Sequence, residues 1–139
     1  MNKSVKMGIF GFVFGFLSTV IFHQVTLFIL AQASQAPIAT WDMTPVPPLG
    51  VPKVISLAFF GGLWGAPLIW VLQKFEGIKF WSLSLILGAI FPTAVAMLVV
   101  LPLKGIAVTP QFVFAGLIVN AAWGLGVAVF FKLTSNLQN

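Results

Sequence analysis

The chain has 139 residues, 60% hydrophobic and 6% charged, with a mean hydropathy of +1.10. A water-soluble domain carries roughly a quarter of its residues as charges, so water is excluded as the main solvent of this surface. The net charge of +5 comes from seven lysines against two acids. These lysines stand singly or in pairs at the ends of apolar runs, which is how membrane anchors are placed and not how a nucleic-acid patch is built. Cysteine is absent, which removes disulfides, thiolate nucleophiles and cysteine-held metals.

The first apolar run covers about 7–31 and follows Lys3 and Lys6. Ala31-Gln32-Ala33 at its end imitates a signal-peptide cleavage site. The run is much longer than the ~7–15-residue apolar core of such a peptide, and it is read as a first membrane span. Gly8, Gly11, Gly15, Ser18, Thr19 and Thr26 fall in one stripe at a helical period. His23 and Gln24 lie in its outer half, and His23 is the one side chain able to titrate near neutral pH. It could relay protons, bind a headgroup or simply pack; its expected partner is Asp42, in the following loop.

That loop, 32–53, holds Pro37, Pro45, Pro47, Pro48 and Pro52. Proline at this density predicts an extended, polyproline-like path over the bundle mouth, with Trp41 and Met43 at the interface. The second run, 54–72, carries Ala58, Gly61 and Gly65 on one side with Gly62 and Ala66 beside them. A tight loop with Lys74, Glu76 and Lys79 leads to the third run, 80–101, where Ser84, Gly88, Pro92 and Ala96 recur at spacing four. A short loop with Gly105 and Pro110 leads to the fourth, 112–133, with Gly116, Asn120, Gly124 and Ala128 at the same spacing.

Each run is about the 17–25 residues that a helix needs to cross a bilayer, and none carries a charge before its ends. The expected fold is an all-α integral membrane protein, 1–139, forming one four-helix transmembrane bundle. With the N-terminus inside, the inner face holds Lys3, Lys6, Lys74, Lys79 and Lys132 and the outer face Lys53 and Lys104. That asymmetry puts both termini in the cytoplasm. Small residues at these spacings let helix backbones approach closely. They can hold the monomer together or, if one stripe is surplus, seat a second subunit. Runs two and four share a preceding proline, a Trp-Gly pair (Trp64-Gly65, Trp123-Gly124) and a closing lysine (Lys74, Lys132). This pattern fits a parallel 2+2 hairpin duplication, and coincidence in apolar sequence explains it equally well.

The chemistry-bearing residues are few. Asn120 sits mid-span, either as a clamp between helices or as a substrate ligand. Pro67 and Pro92 are candidate helix-break residues, each removing a backbone hydrogen bond and freeing the carbonyl four residues earlier. Asp42 and Glu76 fall on opposite faces, so no carboxylate pair forms. One histidine cannot complete a metal site, and no triad or phosphate loop is present. The expectation is a non-enzymatic chain with no cofactor and no nucleic-acid partner.

Phe22-His23-Gln24, 45–52 (PVPPLGVP), 56–65 (SLAFFGGLWG) and Asn120-Ala121-Ala122-Trp123-Gly124 together resemble a type of small bacterial four-span membrane protein. The resemblance covers roughly the first half of the chain. It implies a bacterial inner membrane and carries no assigned activity. The length and span number are also similar to those of small multidrug resistance transporters. Those depend on a glutamate within span one, and no span here contains one. Two functions follow as expectations: a membrane subunit or scaffold that packs against itself or a membrane-protein partner, or a small permeation protein for a solute or ion.

Overall fold

A computed structural model describes residues 1–137. Among them, four helices are long and apolar enough to cross a membrane. They are α1 (Lys3–Ser34), α2 (Lys53–Leu72), α3 (Gly77–Leu103) and α4 (Pro110–Leu137). At about 1.5 Å rise per residue, the 32 residues of α1 make a rod of ~48 Å, against ~30 Å for the 20 residues of α2.

The helices overrun the apolar segments because their ends are satisfied. Asn2 Oδ1 accepts the N–H of Ser4 at 3.0 Å, taking one of the unpaired amides of the first turn. At the far end of α1, Gln35 adopts a left-handed conformation (φ 54°) and the Ala36 N–H reaches back to the Ala31 carbonyl at 3.1 Å, closing the last turn. Gly105 does the same after α3 (φ 70°), with the Ile106 N–H on the Leu101 carbonyl at 2.9 Å.

Pro67 and Pro92 do not break their helices: α2 and α3 run through both. An interior proline forgoes the bond it cannot donate and crowds the carbonyl four residues earlier, and neighbouring helices and local adjustments of the backbone let a membrane helix continue past it. The irregular turns lie elsewhere, as π-helical turns at Thr19–His23 in α1 and Ala96–Val100 in α3.

The 32–53 segment also departs from an extended path. Residues Pro45–Val46 (β1) pair antiparallel with Val51–Pro52 (β2), Pro45 opposite Pro52. The turn closes through Gly50, whose positive φ of 69° suits a residue without a Cβ, and whose N–H bonds the Val46 carbonyl at 2.9 Å. The loop then caps α2. The amides of Lys53 and Val54 donate to the carbonyls of Thr44 and Asp42, each at 2.9 Å, filling vacancies at a helix N-terminus.

The helices pack as two antiparallel hairpins, α1 along α2 and α3 along α4, joined mainly by α1 against α4. Both hairpins use the same backbone approach. A Cβ on Gly65 would strike the Gly11 carbonyl and the Cα of Gly15; a Cβ on Gly124 would strike the Ser84 carbonyl and the Cα of Gly88. One turn earlier in α2 and α4, Gly61 and Asn120 meet Gly15 and Gly88 in turn. The pairs Gly11/Gly15 and Ser84/Gly88 therefore play the same part. Several of the small residues are used inside this chain: Gly116 lies on Met97 and Thr93, Gly126 on Ser18 and Phe22, and Ala58 and Ala128 are fully buried.

The apolar core lies toward the end of the bundle that carries five of the seven lysines, where Ile69, Leu72, Phe80 and Val127 are fully buried. At that end Lys132 lies over the Phe80 ring at 4.5 Å, and the Trp70 indole N–H donates to the Ser4 carbonyl at 3.1 Å. Elsewhere large apolar side chains face outward. On α1, Val5, Ile9, Val13, Leu17, Ile21 and Val25 form an exposed row at spacing four.

Candidate functional site

Polar side chains at depth gather in three small clusters, each tied to a backbone carbonyl or to a neighbouring helix. The central one joins α1 to α4. Ser18 Oγ donates to the Trp123 carbonyl at 2.6 Å, and the Trp123 indole N–H donates to the Gly15 carbonyl at 3.0 Å. Thr19 Oγ1 donates to that same carbonyl at 2.8 Å. Ser18, Thr19 and Trp123 are all buried. Gly15 is thus a shared acceptor where α1, α2 and α4 meet, and the absence of side chains at Gly15 and Gly61 is what lets the three backbones come this close.

The second cluster joins α4 to α3, where Asn120 Nδ2 donates to Thr93 Oγ1 at 2.9 Å. Asn120 therefore has a helix-to-helix partner, the buried Thr93, which sequence reasoning did not single out. The signal was present, since Thr93 follows Pro92 in the small-residue stripe. Replacing Asn120 by leucine and Thr93 by valine, singly and together, should give a coupling of about 0.6 kcal/mol and no more than ~1.7. Detergent unfolding of the four proteins measures it, and strictly additive losses would count against a clamp.

The third cluster straps the 35–52 loop to α1. In the π-helical turn the Gln24 N–H goes to the carbonyls of Thr19 and Ile21, and the Val20 carbonyl receives the Trp41 indole N–H at 2.8 Å. The buried Gln24 side chain accepts the Trp41 backbone N–H at 2.7 Å. Trp41 holds a left-handed backbone (φ 48°) and its ring lies 6.3 Å from Phe28. Strained backbone of this kind persists only where surroundings hold it. Gln24 is the holder, and its other end, Nε2, sits 3.2 Å from His23 Nδ1. Gln24→Leu should release the strap. We expect a red-shifted Trp41 emission and faster tryptic cleavage after Lys53, with helix content unchanged; unaltered cleavage would assign the strap to other contacts.

His23 and Asp42 are not brought together. Asp42 accepts the Thr44 N–H at 2.9 Å and pairs with Lys53 at 3.7 Å. Hydrogen bonds from Thr44, side chain before main chain, and then the Lys53 ammonium, hold its carboxyl below the usual aspartate range. A carboxylate lowered in this way keeps the loop contact at neutral pH and loses it only as acid protonates it.

Pro67 and Pro92, by contrast, meet. They line one apolar groove of about 390 Å³ between α2 and α3, together with Trp64, Leu68, Leu87 and Trp123. Neither His23 nor Asn120 opens into it. A second, polar cleft of about 320 Å³ lies at the lysine-bearing end, walled by Lys3, Ser4, Met7, Gln73 and Lys74. Among the described residues no three His, Cys, Asp or Glu side chains gather where they could hold a metal ion. The chain matches no protein-family model, no curated protein and no solved structure.

Proposed function

We propose that this chain is a multi-pass protein of a bacterial inner membrane, with both termini cytoplasmic, acting as a non-enzymatic membrane subunit or scaffold. The observation that carries the membrane reading is the inversion of its surface. Apolar side chains face outward on all four helices, while Ser18, Thr19, Gln24, Ser84 and Thr93 are buried. In hydrocarbon, polar groups must find partners inside the protein, and among the described residues no buried side-chain nitrogen or oxygen lacks one. The orientation rests on five lysines at one end against two at the other. The inner-membrane assignment rests on the resemblance alone.

The subunit reading is supported by how the polar residues are used. Ser18, Asn120 and Thr93 serve contacts between helices, Gln24 serves the loop strap, and Thr19 and Ser84 bond carbonyls of their own helices, so none of them lines the groove. Transport of a small solute or ion has correspondingly little support, because the groove is apolar and the polar residues lie apart. The absence of cysteine makes topology directly testable. In intact cells Leu49→Cys should react with a membrane-impermeant maleimide, and Lys79→Cys only after permeabilisation. Labelling of both in intact cells would overturn the orientation. Mild-detergent purification that yields a bare monomer with no co-purifying protein would overturn the subunit role.

A further inference from the structure

We propose that the strap between the 35–52 loop and α1 is a proton-sensitive latch, closed while His23 is neutral and released when its ring takes up a proton. The latch goes beyond the subunit reading and stands on hydrogen bonds that do not depend on it. The Trp41 backbone N–H can only donate, so the Gln24 atom that meets it at 2.7 Å is the carbonyl oxygen Oε1. That bond fixes which way round the amide lies, and it turns the donor Nε2 toward His23 Nδ1 at 3.2 Å. Nδ1 must then accept. The closed latch therefore requires a neutral ring with its proton on Nε2.

A proton added at Nδ1 makes that nitrogen a donor too, and two donors then face each other across the 3.2 Å contact. The imidazolium makes the stronger claim on Gln24 Oε1, because charge-assisted hydrogen bonds are roughly twice as strong as neutral ones. As the amide turns over to meet it, the NH2 group swings to the Trp41 N–H and that bond is lost. Burial of Gln24 keeps water from replacing it, and the left-handed Trp41 backbone (φ 48°) relaxes once its holder lets go. The indole bond to the Val20 carbonyl is then the remaining hydrogen bond from Trp41 to α1 among the described residues.

No neighbouring charge does this work in place of His23. Its π-helical turn packs on α2 and α4, whose charged residues are Lys53 and Lys132, and Lys3 and Lys6 stand at the far end of α1. Lys132 lies over Phe80 at the opposite end of the bundle. Asp42, brought by the loop, pairs with Lys53 at 3.7 Å. That pair, and the Lys53 and Val54 amides on the Thr44 and Asp42 carbonyls, leave His23 out. Release therefore parts the loop from α1 while it stays on α2.

The chain has one histidine, so nitrogen-15 labelling of histidine alone reads this ring directly. In detergent micelles at neutral pH the expected state is a neutral ring with Nε2 protonated and Nδ1 bare; a neutral ring protonated at Nδ1 would overturn the proposal. The Trp41 emission is taken as the difference between the full chain and its Trp41→Phe variant. On acidification it should shift to the red and become open to iodide quenching, reversibly and with helix content unchanged. His23→Asn sets a neutral acceptor oxygen near the position of Nδ1 at every pH, and the shift should be lost. Asp42→Asn removes the other loop group that acid protonates, and the shift should persist. A shift that survives His23→Asn, disappears in Asp42→Asn or comes only with loss of helix content overturns the latch. So does a ring that protonates with no shift, or one that stays neutral for as long as the fold holds. None of these readouts depends on orientation or on a partner, so failure of the subunit reading would leave them unchanged.

Discussion

Valine at Gly124 is expected to destabilise the bundle by about 3 kcal/mol or more, and valine at Gly65 by a similar amount. Each glycine faces backbone across a hairpin. The added Cβ would strike the Ser84 carbonyl and lie 3.0 Å from the Cα of Gly88 in one case, and would strike the Gly11 carbonyl and lie 2.9 Å from the Cα of Gly15 in the other. A flexible side chain could turn aside, but a main-chain carbonyl moves only with its helix. The two helices must therefore separate, and on the membrane reading proposed above close approach is what holds them, because lipid is as apolar as leucine and gives no hydrophobic drive to association. Gly8 provides the control. A Cβ there lies 3.4 Å from the Trp70 ring, an ordinary contact, and alanine in a helix gains roughly 0.5–1 kcal/mol over glycine. Gly8→Ala should be neutral or stabilising in the same detergent titration followed by far-ultraviolet dichroism. If Gly124→Val unfolds with the midpoint of Gly8→Ala, the hairpin contact is not where stability resides.

The matched behaviour of Gly65 and Gly124 bears on the duplication suggested by Trp64-Gly65 and Trp123-Gly124. The glycines occupy corresponding contacts, yet the tryptophans diverge. Both line the groove, but Trp123 is buried with its indole N–H on the Gly15 carbonyl, while Trp64 is only partly buried. A shared packing scheme with one altered partner is what two hairpins need when only one side of each can face the other.

Much of this was legible in the sequence, for a physical reason. Hydrocarbon tolerates few arrangements, so run length predicts the four helices and small-residue spacing predicts the faces that meet, as Ser84/Gly88 against Asn120/Gly124 shows. What was not legible depends on tertiary position. Nothing local to Trp41 announces that its indole will reach a carbonyl in a π-helical turn 21 residues earlier. Pro67 and Pro92 were readable as special residues, but their meeting across a groove follows from how the hairpins cross. Asp42 was matched to His23 on scarcity of partners, whereas Lys53, at the start of α2, was nearer in both chain and space.

Trp123→Ala should cost about 3 kcal/mol, and its dissection tests whether the hub at Gly15 holds the two hairpins together. In a water-soluble core, truncating a tryptophan costs roughly 3–5 kcal/mol, part of it lost transfer energy. In a bilayer that transfer part shrinks, because lipid replaces the lost contacts cheaply, leaving the cavity and the hydrogen bond. Trp123→Phe keeps most of the ring and removes only the indole N–H that meets the Gly15 carbonyl at 3.0 Å; it should cost about 0.6–1.7 kcal/mol. Ser18→Ala removes the other α1–α4 bond, to the Trp123 carbonyl, and should cost a similar amount. Both bonds depend on one close approach, at which a Cβ on Gly126 would strike Ser18 Oγ. The double variant should therefore lose measurably less than the sum of the singles, since the first loss already loosens the approach that the second bond requires. Additive losses would mean that the bonds act independently and that α1 and α4 are held by packing alone. In that case Gly126→Val, and not Trp123→Phe, would separate the hairpins.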